Sequence, residues 1–128
     1  MRDEGAAGVL LVGVVGVVLF LAAALGGVGR YLDARVRAST AADAAALAAA
    51  PVTFMPFGAQ GTPRQEAARF ARLNGAELVS CRCPPDPSWE PRTVRVEVSR
   101  DLTIWPVGEV TVRAVSRAEF VPALLLGP

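Results

Sequence analysis

Lysine and histidine are both missing from this chain, and all thirteen of its basic residues are arginine. A serine nucleophile needs a neighbouring base, usually histidine or lysine. A phosphate-binding loop needs its lysine, and most catalytic zinc sites use histidine. No pair of carboxylates lies at an informative spacing either. The sequence therefore indicates a protein that is not an enzyme, with no cofactor, no metal and no small-molecule substrate.

An excess of charge is missing as well, because thirteen basic and twelve acidic residues leave a net charge of +1. Nucleic-acid-binding domains are usually strongly basic, so we expect no nucleic acid partner. The chain has 128 residues, which allows one small domain and an accessory segment. Its mean hydropathy is +0.40, and most of the apolar weight lies in the first fifty residues.

Residues 5–29 form a run without a charge, GAAGVLLVGVVGVVLFLAAALGGVG. A helix that rises about 1.5 Å per residue crosses a hydrocarbon core of ~30 Å in about 20 residues. A secretory signal has an apolar stretch of only ~7–15 residues behind a basic start, whereas this chain begins MRDE. We predict a transmembrane segment over residues 1–29. Near its end, Gly26 and Gly27 indicate either close helix packing or a point where the helix bends.

Residues 30–50 are rich in alanine and contain neither proline nor glycine. Alanine is the best helix former, so the helix should continue as a stem until Pro51 and Pro56 stop it. Intervals of three and four place one set of residues on a single helix face, and these are our candidates for helix packing and assembly: Leu32, Val36, Asp43 and Leu47, with Ser39 between them. Asp43 is either a hydrated charge or the partner of an arginine on the head or a neighbouring subunit.

Residues 51–128 read as a small head that begins with a loop and a helix. Phe54, Met55 and Phe57 should pack beneath the head or contact a partner. Thr62 and Gln65 have the spacing of a capping box, and Pro63 occupies the first turn. We predict that this helix reaches residue 74, where Gly75 ends it.

Three strands are predicted in the rest of the head, over residues 77–83, 92–100 and 109–118. Val94, Val96 and Val98 alternate with charged residues, which is typical of a sheet with one covered face. In the third strand, we expect the alternation of inward and outward residues to slip by one position at residues 114–115. The stretch SRDLTIWPVG joins the last two strands and can extend the sheet. The prediction is an α+β fold with a three- or four-stranded antiparallel sheet, for which the stem is a candidate cover.

Cys81 and Cys83 lie two residues apart on the first strand, so they point to the same face. A disulfide at this spacing is geometrically demanding, and two cysteines alone make a poor zinc site. Unpaired or intermolecular thiols, a local disulfide and a metal site remain as alternatives. A disulfide would imply an oxidising compartment.

The membrane helix, its alanine-rich continuation and the antiparallel head together resemble a type IV pilin. Residues 35–47, RVRASTAADAAAL, resemble the motif R-x-R-A-x-x-A-A-D-A-A-A-L of the TadE/TadG-like pseudopilins of Tad pilus assembly. Further stretches are similar to that family: residues 3–7, residues 74–76, Cys81 and residues 117–119. The alanine-rich chain, with arginine as its only basic residue, is most similar to the actinobacterial TadE-like subgroup.

This resemblance implies a pilin-like fold and a minor pseudopilin of a Flp-type pilus or of a related type II/IV secretion apparatus. The implied partners are membrane lipid, other Tad proteins and further copies of the chain. Prepilin peptidase cuts such proteins after a glycine, with a glutamate five residues beyond the cut. Position 10 is leucine and position 13 is glycine, so the chain departs from this pattern after Gly5 and Gly8.

The resemblance also implies a single-pass protein with a cytoplasmic N-terminus and the head outside. Arginines flanking the apolar run favour the opposite orientation by a single charge, because Arg30, Arg35 and Arg37 follow the run. We follow the resemblance here.

A second hypothesis is a single-pass anchor that presents a ligand-binding or cell-wall-binding head. Trp89, Trp105 and residues 121–126 are its candidate contacts. Packing in the core is the simpler explanation for these apolar residues.

Overall fold

A computed structural model describes residues 3–54 and 61–127. Its elements in chain order are helix α1 (Asp3–Val52), helix α2 (Pro63–Leu73), strands β1 (Glu77–Arg82), β2 (Arg92–Ile104) and β3 (Gly108–Phe120), and a C-terminal 3-10 helix (Pro122–Leu126). The strands form a three-stranded sheet in the order β1-β2-β3. This architecture confirms the predicted α+β fold.

Helix α1 joins the apolar run and the alanine stem into one helix of 50 residues, about 75 Å long. The helix was predicted to stop at Pro51, but Pro51 lies in its last turn and the helix ends one residue later, at Val52. A proline costs little where the hydrogen-bond ladder is already ending. Thr53 closes the turn, because its backbone N–H and its hydroxyl both donate to the Ala50 carbonyl, at 3.3 and 2.6 Å.

The loop after α1 is described only in part. Phe54 is buried, which agrees with the prediction that it packs beneath the head. The predictions for Met55, Pro56 and Phe57 lie outside the described residues.

Helix α2 begins as predicted, with a capping box. The Gln65 backbone N–H donates to the Thr62 hydroxyl at 3.2 Å, and the Thr62 N–H donates to the Gln65 side-chain oxygen at 2.9 Å. At the other end Asn74 is the C-cap, and Gly75 follows with a φ of +74°, which favours glycine. The buried residues Ala67 and Ala71 face the stem and the sheet.

Strands β2 and β3 form a long hairpin, paired without interruption from Arg92–Phe120 to Ile104–Gly108. Most of the predicted connection SRDLTIWPVG is therefore strand, and only residues 105–107 form the turn. The predicted slip at residues 114–115 is wrong. Continuous pairing keeps Ala114 inward and leaves Val115 on the outer face, although valine is the more apolar of the two. The irregularity lies in β1, between Leu78 and Ser80.

The inner face of the sheet packs against the stem, which confirms the stem as its cover. Val94, Val96 and Val98 are buried there, at 0–1% exposure. The stem supplies alanines to this core: Ala41, Ala42, Ala45, Ala46, Ala49 and Ala50. Ala34 and Ala38, earlier in the helix, pack with Val112 in a second cluster. Because alanine has only a methyl group, the strands can approach the helix closely while valines fill the space between them.

Candidate assembly surface of the long helix

The stem has one face that its own head leaves uncovered. Leu32, Val36 and Leu47 are 54%, 65% and 68% exposed, and Asp43 is exposed as well. At about 100° per residue, these residues lie roughly opposite the buried alanines. We call Leu32, Val36, Asp43 and Leu47 the assembly stripe, since the sequence singled out these residues for assembly.

The assembly stripe continues the exposed apolar surface of the membrane-length run. Leu21, Leu25 and Val28 precede it at the same intervals of three and four, and all three are more than half exposed. Ser39 and Asp43 are the only polar residues on this line between Leu21 and Leu47. A second helix could therefore follow α1 from the apolar run into the stem without changing face.

Asp43 forms no ion pair with any residue in the described part of the chain. The nearby ion pair joins Arg37 and Asp33 at 2.9 Å on another side of α1, and both side chains are too exposed to add much stability. An arginine partner on the head is therefore not seen among the described residues, which leaves a hydrated charge or an arginine on a neighbouring subunit. Asp43 is exposed in the single chain and accessible to a neighbouring subunit.

The assembly stripe has the composition of a helix–helix contact with one register-setting group. Full burial of a Val or Leu side chain is worth about 1.5–3 kcal/mol, so three such residues supply a driving force. A buried carboxylate costs free energy unless it is paired. Apolar residues would thus favour contact, and Asp43 would restrict the register to one that offers a cation or a hydrogen-bond donor.

Residues proposed as ligand contacts of the head lie toward both ends of the β2–β3 hairpin. Trp89 is 49% exposed and packs edge-on against Phe54, with ring centroids 4.9 Å apart. Trp105 is 79% exposed at the turn between β2 and β3. Residues 124–126 are exposed leucines at the C-terminal end. Trp105 lies at the opposite end of the β2–β3 hairpin from Phe120 and the C-terminal leucines that follow it, so the three groups do not form one binding site.

Arg92 is a structural residue that sequence reasoning missed. Its guanidinium donates to the carbonyl oxygens of Asp86 and Ser88, and at 3.5 Å to that of Thr53. The Asp86 N–H also donates to the Thr53 carbonyl at 2.8 Å. Together these hydrogen bonds hold the loop between β1 and β2 against the C-terminal end of α1. The Ser88 backbone N–H and hydroxyl, as hydrogen-bond partners of Asp86, lower the pKa of its carboxyl.

Cys81 and Cys83 are joined by a disulfide, with their Cα atoms 5.5 Å apart. Of the alternatives left open by the sequence, the structure thus has the local disulfide. Within residues 3–54 and 61–127, no cluster of three or more His, Cys, Asp or Glu residues could hold a metal.

Helix α1 is long and apolar enough to cross a membrane by its length and composition. No residue in the most apolar 18-residue stretch of this helix is buried, as a lipid-facing segment requires. Fold and surface together define a chain with one helix that could span a membrane and a small α+β head.

Residues 5–52 match the model of the Flp pilus-assembly TadE/G-like family. The match covers α1 almost from end to end, including the whole assembly stripe, and stops before the head. Searches of the curated proteins and of the solved structures find no match. The family match thus lies within the helix.

Proposed function

We propose that this chain is a non-catalytic, membrane-anchored minor pseudopilin of a Tad/Flp-type pilus or a related secretion apparatus, of the actinobacterial TadE-like kind. The observation that carries the proposal is that the helix matching the family turns an uncovered apolar stripe away from its own head. Its partners would be other Tad pilus-assembly proteins or further copies of the chain.

In this proposal α1 crosses the cell membrane once, with its N-terminus in the cytoplasm and the head outside. The disulfide between Cys81 and Cys83 supports this orientation, because disulfides persist in oxidising compartments. A periplasm-type reporter fused after Gln60 should therefore be active. An active cytoplasmic reporter at the same position would place the head inside the cell.

The head and the assembly stripe would have separate tasks. The sheet covers the alanine face, so the head packs on this side of the helix. Leu32, Val36 and Leu47 remain available on the far side, so a neighbouring helix could dock without displacing the head. Asp43 would select the register of that neighbour.

The test is complementation of a deletion strain with charge variants of the assembly stripe. Val36→Arg and Leu47→Arg, alone and combined, should abolish pilus formation or secretion while the protein remains in the membrane. Val115→Arg is the matched control, because Val115 is a half-exposed valine on the outer face of the sheet. Normal piliation and secretion in the deletion strain, or in the double variant, would contradict the proposal.

Exposed leucines at the C-terminal end favour a second candidate, an anchor that presents a ligand-binding or cell-wall-binding head. Leu124 and Leu126 are 77% and 74% exposed. This function predicts that Leu124→Ser with Leu126→Ser reduces binding of the intact protein to cell-wall material. The stripe variants would leave that binding unchanged, which separates the two functions.

A further inference from the structure

We propose that the tip of the β2–β3 hairpin, residues 102–108, is a second membrane contact, which enters the lipid leaflet that α1 leaves. This proposal requires α1 to span a membrane, but it does not depend on any role in a pilus. Its occupant is the lipid of that same bilayer, both interfacial headgroups and upper acyl chains.

The hairpin tip lies against α1 within the charge-free run. Ile104 approaches Gly27 so closely that a Cβ on Gly27 would be 3.2 Å from the Ile104 Cγ2. The helix contributes Phe20 and Gly27, and the hairpin Ile104, Trp105 and Val107, to an open apolar groove of about 580 Å³. The glycine that the sequence offered for helix packing is thus used by the hairpin.

The depth of this contact follows from the helix. A hydrocarbon core of ~30 Å centred on the charge-free run holds roughly residues 7–27 of α1. Gly27 then lies at the hydrocarbon boundary, and Phe20 lies about 10 Å deeper. A groove that spans both levels is at the depth of headgroups and upper acyl chains.

On α1 and on the β2–β3 hairpin, the charged residues end at the same depth relative to the bilayer. The hairpin carries no charge between Asp101 and Glu109, and α1 carries none between residue 5 and Arg30. Asp101 lines one polar pocket together with Arg30 and Asp33. Glu109 lies opposite Thr103 in the strand register near the tip and is exposed. Its carboxylate can therefore reach the headgroups. A single water–lipid boundary explains why both elements change from charged to uncharged side by side.

The side chains at the tip suit an interface between water and lipid. Trp105 and Val107 are 79% and 73% exposed in the single chain, which would leave them in water if the tip were not in lipid. Tryptophan concentrates at membrane interfaces because its ring is apolar and its N–H still finds a polar partner. Since the hairpin lies opposite the assembly stripe, its contact with lipid leaves the stripe open to a neighbouring helix.

The experiment uses the full chain in phosphatidylglycerol and phosphatidylcholine vesicles, with bromines on the upper acyl chain of part of the phosphatidylcholine. The chain has two tryptophans, so Trp89→Phe leaves Trp105 as the only one. We expect blue-shifted emission, strong quenching by the brominated lipid and weak quenching by aqueous acrylamide.

The matched control is Trp105→Phe, which leaves Trp89. Trp89 packs against Phe54, just beyond the end of α1, and Val52 lies roughly 40 Å along the helix from Gly27. Its quenching by brominated lipid should be severalfold weaker than that of Trp105, and its quenching by acrylamide should be stronger. Both variants keep an aromatic ring, and near-UV circular dichroism verifies their fold.

Equal and weak lipid quenching of Trp105 and Trp89, with Trp105 open to acrylamide, would place the tip in water and overturn the proposal. Protection of Trp105 from both quenchers that disappears at a high lipid-to-protein ratio would mean that a second copy covers the tip, which also overturns it. Release of the protein by alkaline carbonate would refute the membrane span itself, and with it this proposal and the proposed function together.

Discussion

Enlarging an alanine on the buried face of the stem should weaken the docking of the head. Ala45 is 0% exposed in the core that joins the stem to Val94, Val96 and Val98. Leucine at this position adds three carbon atoms where the structure leaves no path to solvent, and overpacking of this kind costs about 1–3 kcal/mol. At roughly 4–8 °C per kcal/mol for a domain of this size, a cost of about 2 kcal/mol lowers Tm by about 8–16 °C.

The assay is thermal unfolding of the detergent-solubilised chain, followed by near-UV circular dichroism, which reports the packing of Phe54 and Trp89. Ser39→Leu is the matched control on the exposed side of α1, and it should change the free energy of unfolding by no more than about 0.5 kcal/mol. If Ala45→Leu were as stable as the parent chain, or if Ser39→Leu were the damaging change, the head would not dock on the alanine face.

Three further outcomes follow from the head. Val96→Ala, which removes two methyl groups from a fully buried side chain, should lower the free energy of unfolding by about 2–3 kcal/mol in urea titration; a change below about 0.5 kcal/mol would contradict the core described here. Cys81 and Cys83 should react with a thiol reagent only after reduction, as mass spectrometry can verify; labelling without a reductant would refute the disulfide. The pKa of Asp86 is lowered in the folded chain, so its contribution to stability is present above the usual carboxyl pKa and is lost as pH falls through the lowered value. Asp86→Asn should therefore reduce the loss of unfolding free energy at acid pH, and an unchanged loss would contradict this.

Local sequence signals predicted the elements of the head well where each signal was self-contained. Thr62 and Gln65 specified the start of α2, and the alternation of Val94, Val96 and Val98 specified the buried face of β2. The slip predicted at residues 114–115 of β3 is wrong, and Val115 lies on the outer face although it is apolar. Its position is fixed by continuous pairing with β2, which is a non-local property.

The relation of the hairpin to α1 could not be predicted from the sequence. Residues 99–108 read as a connection that can extend the sheet, and the sequence pattern there does not predict a contact with α1. Their extension along the helix depends on pairing with β3 and on the small surface of Gly27. Similarly, helical periodicity identified the residues that share the assembly stripe, but only the packed structure shows that the head occupies the opposite face.

The most direct test of the assembly stripe is photo-crosslinking in living cells that carry the intact pilus-assembly system. A photoreactive amino acid at Val36 or Leu47 is compared with one at Arg37, an exposed residue on another side of the same helix. We predict adducts with a Tad-system membrane protein or with a second copy of the chain from Val36 and Leu47, and far fewer from Arg37. Equal or absent adducts at all three positions would contradict the claim that this face of α1 mediates assembly.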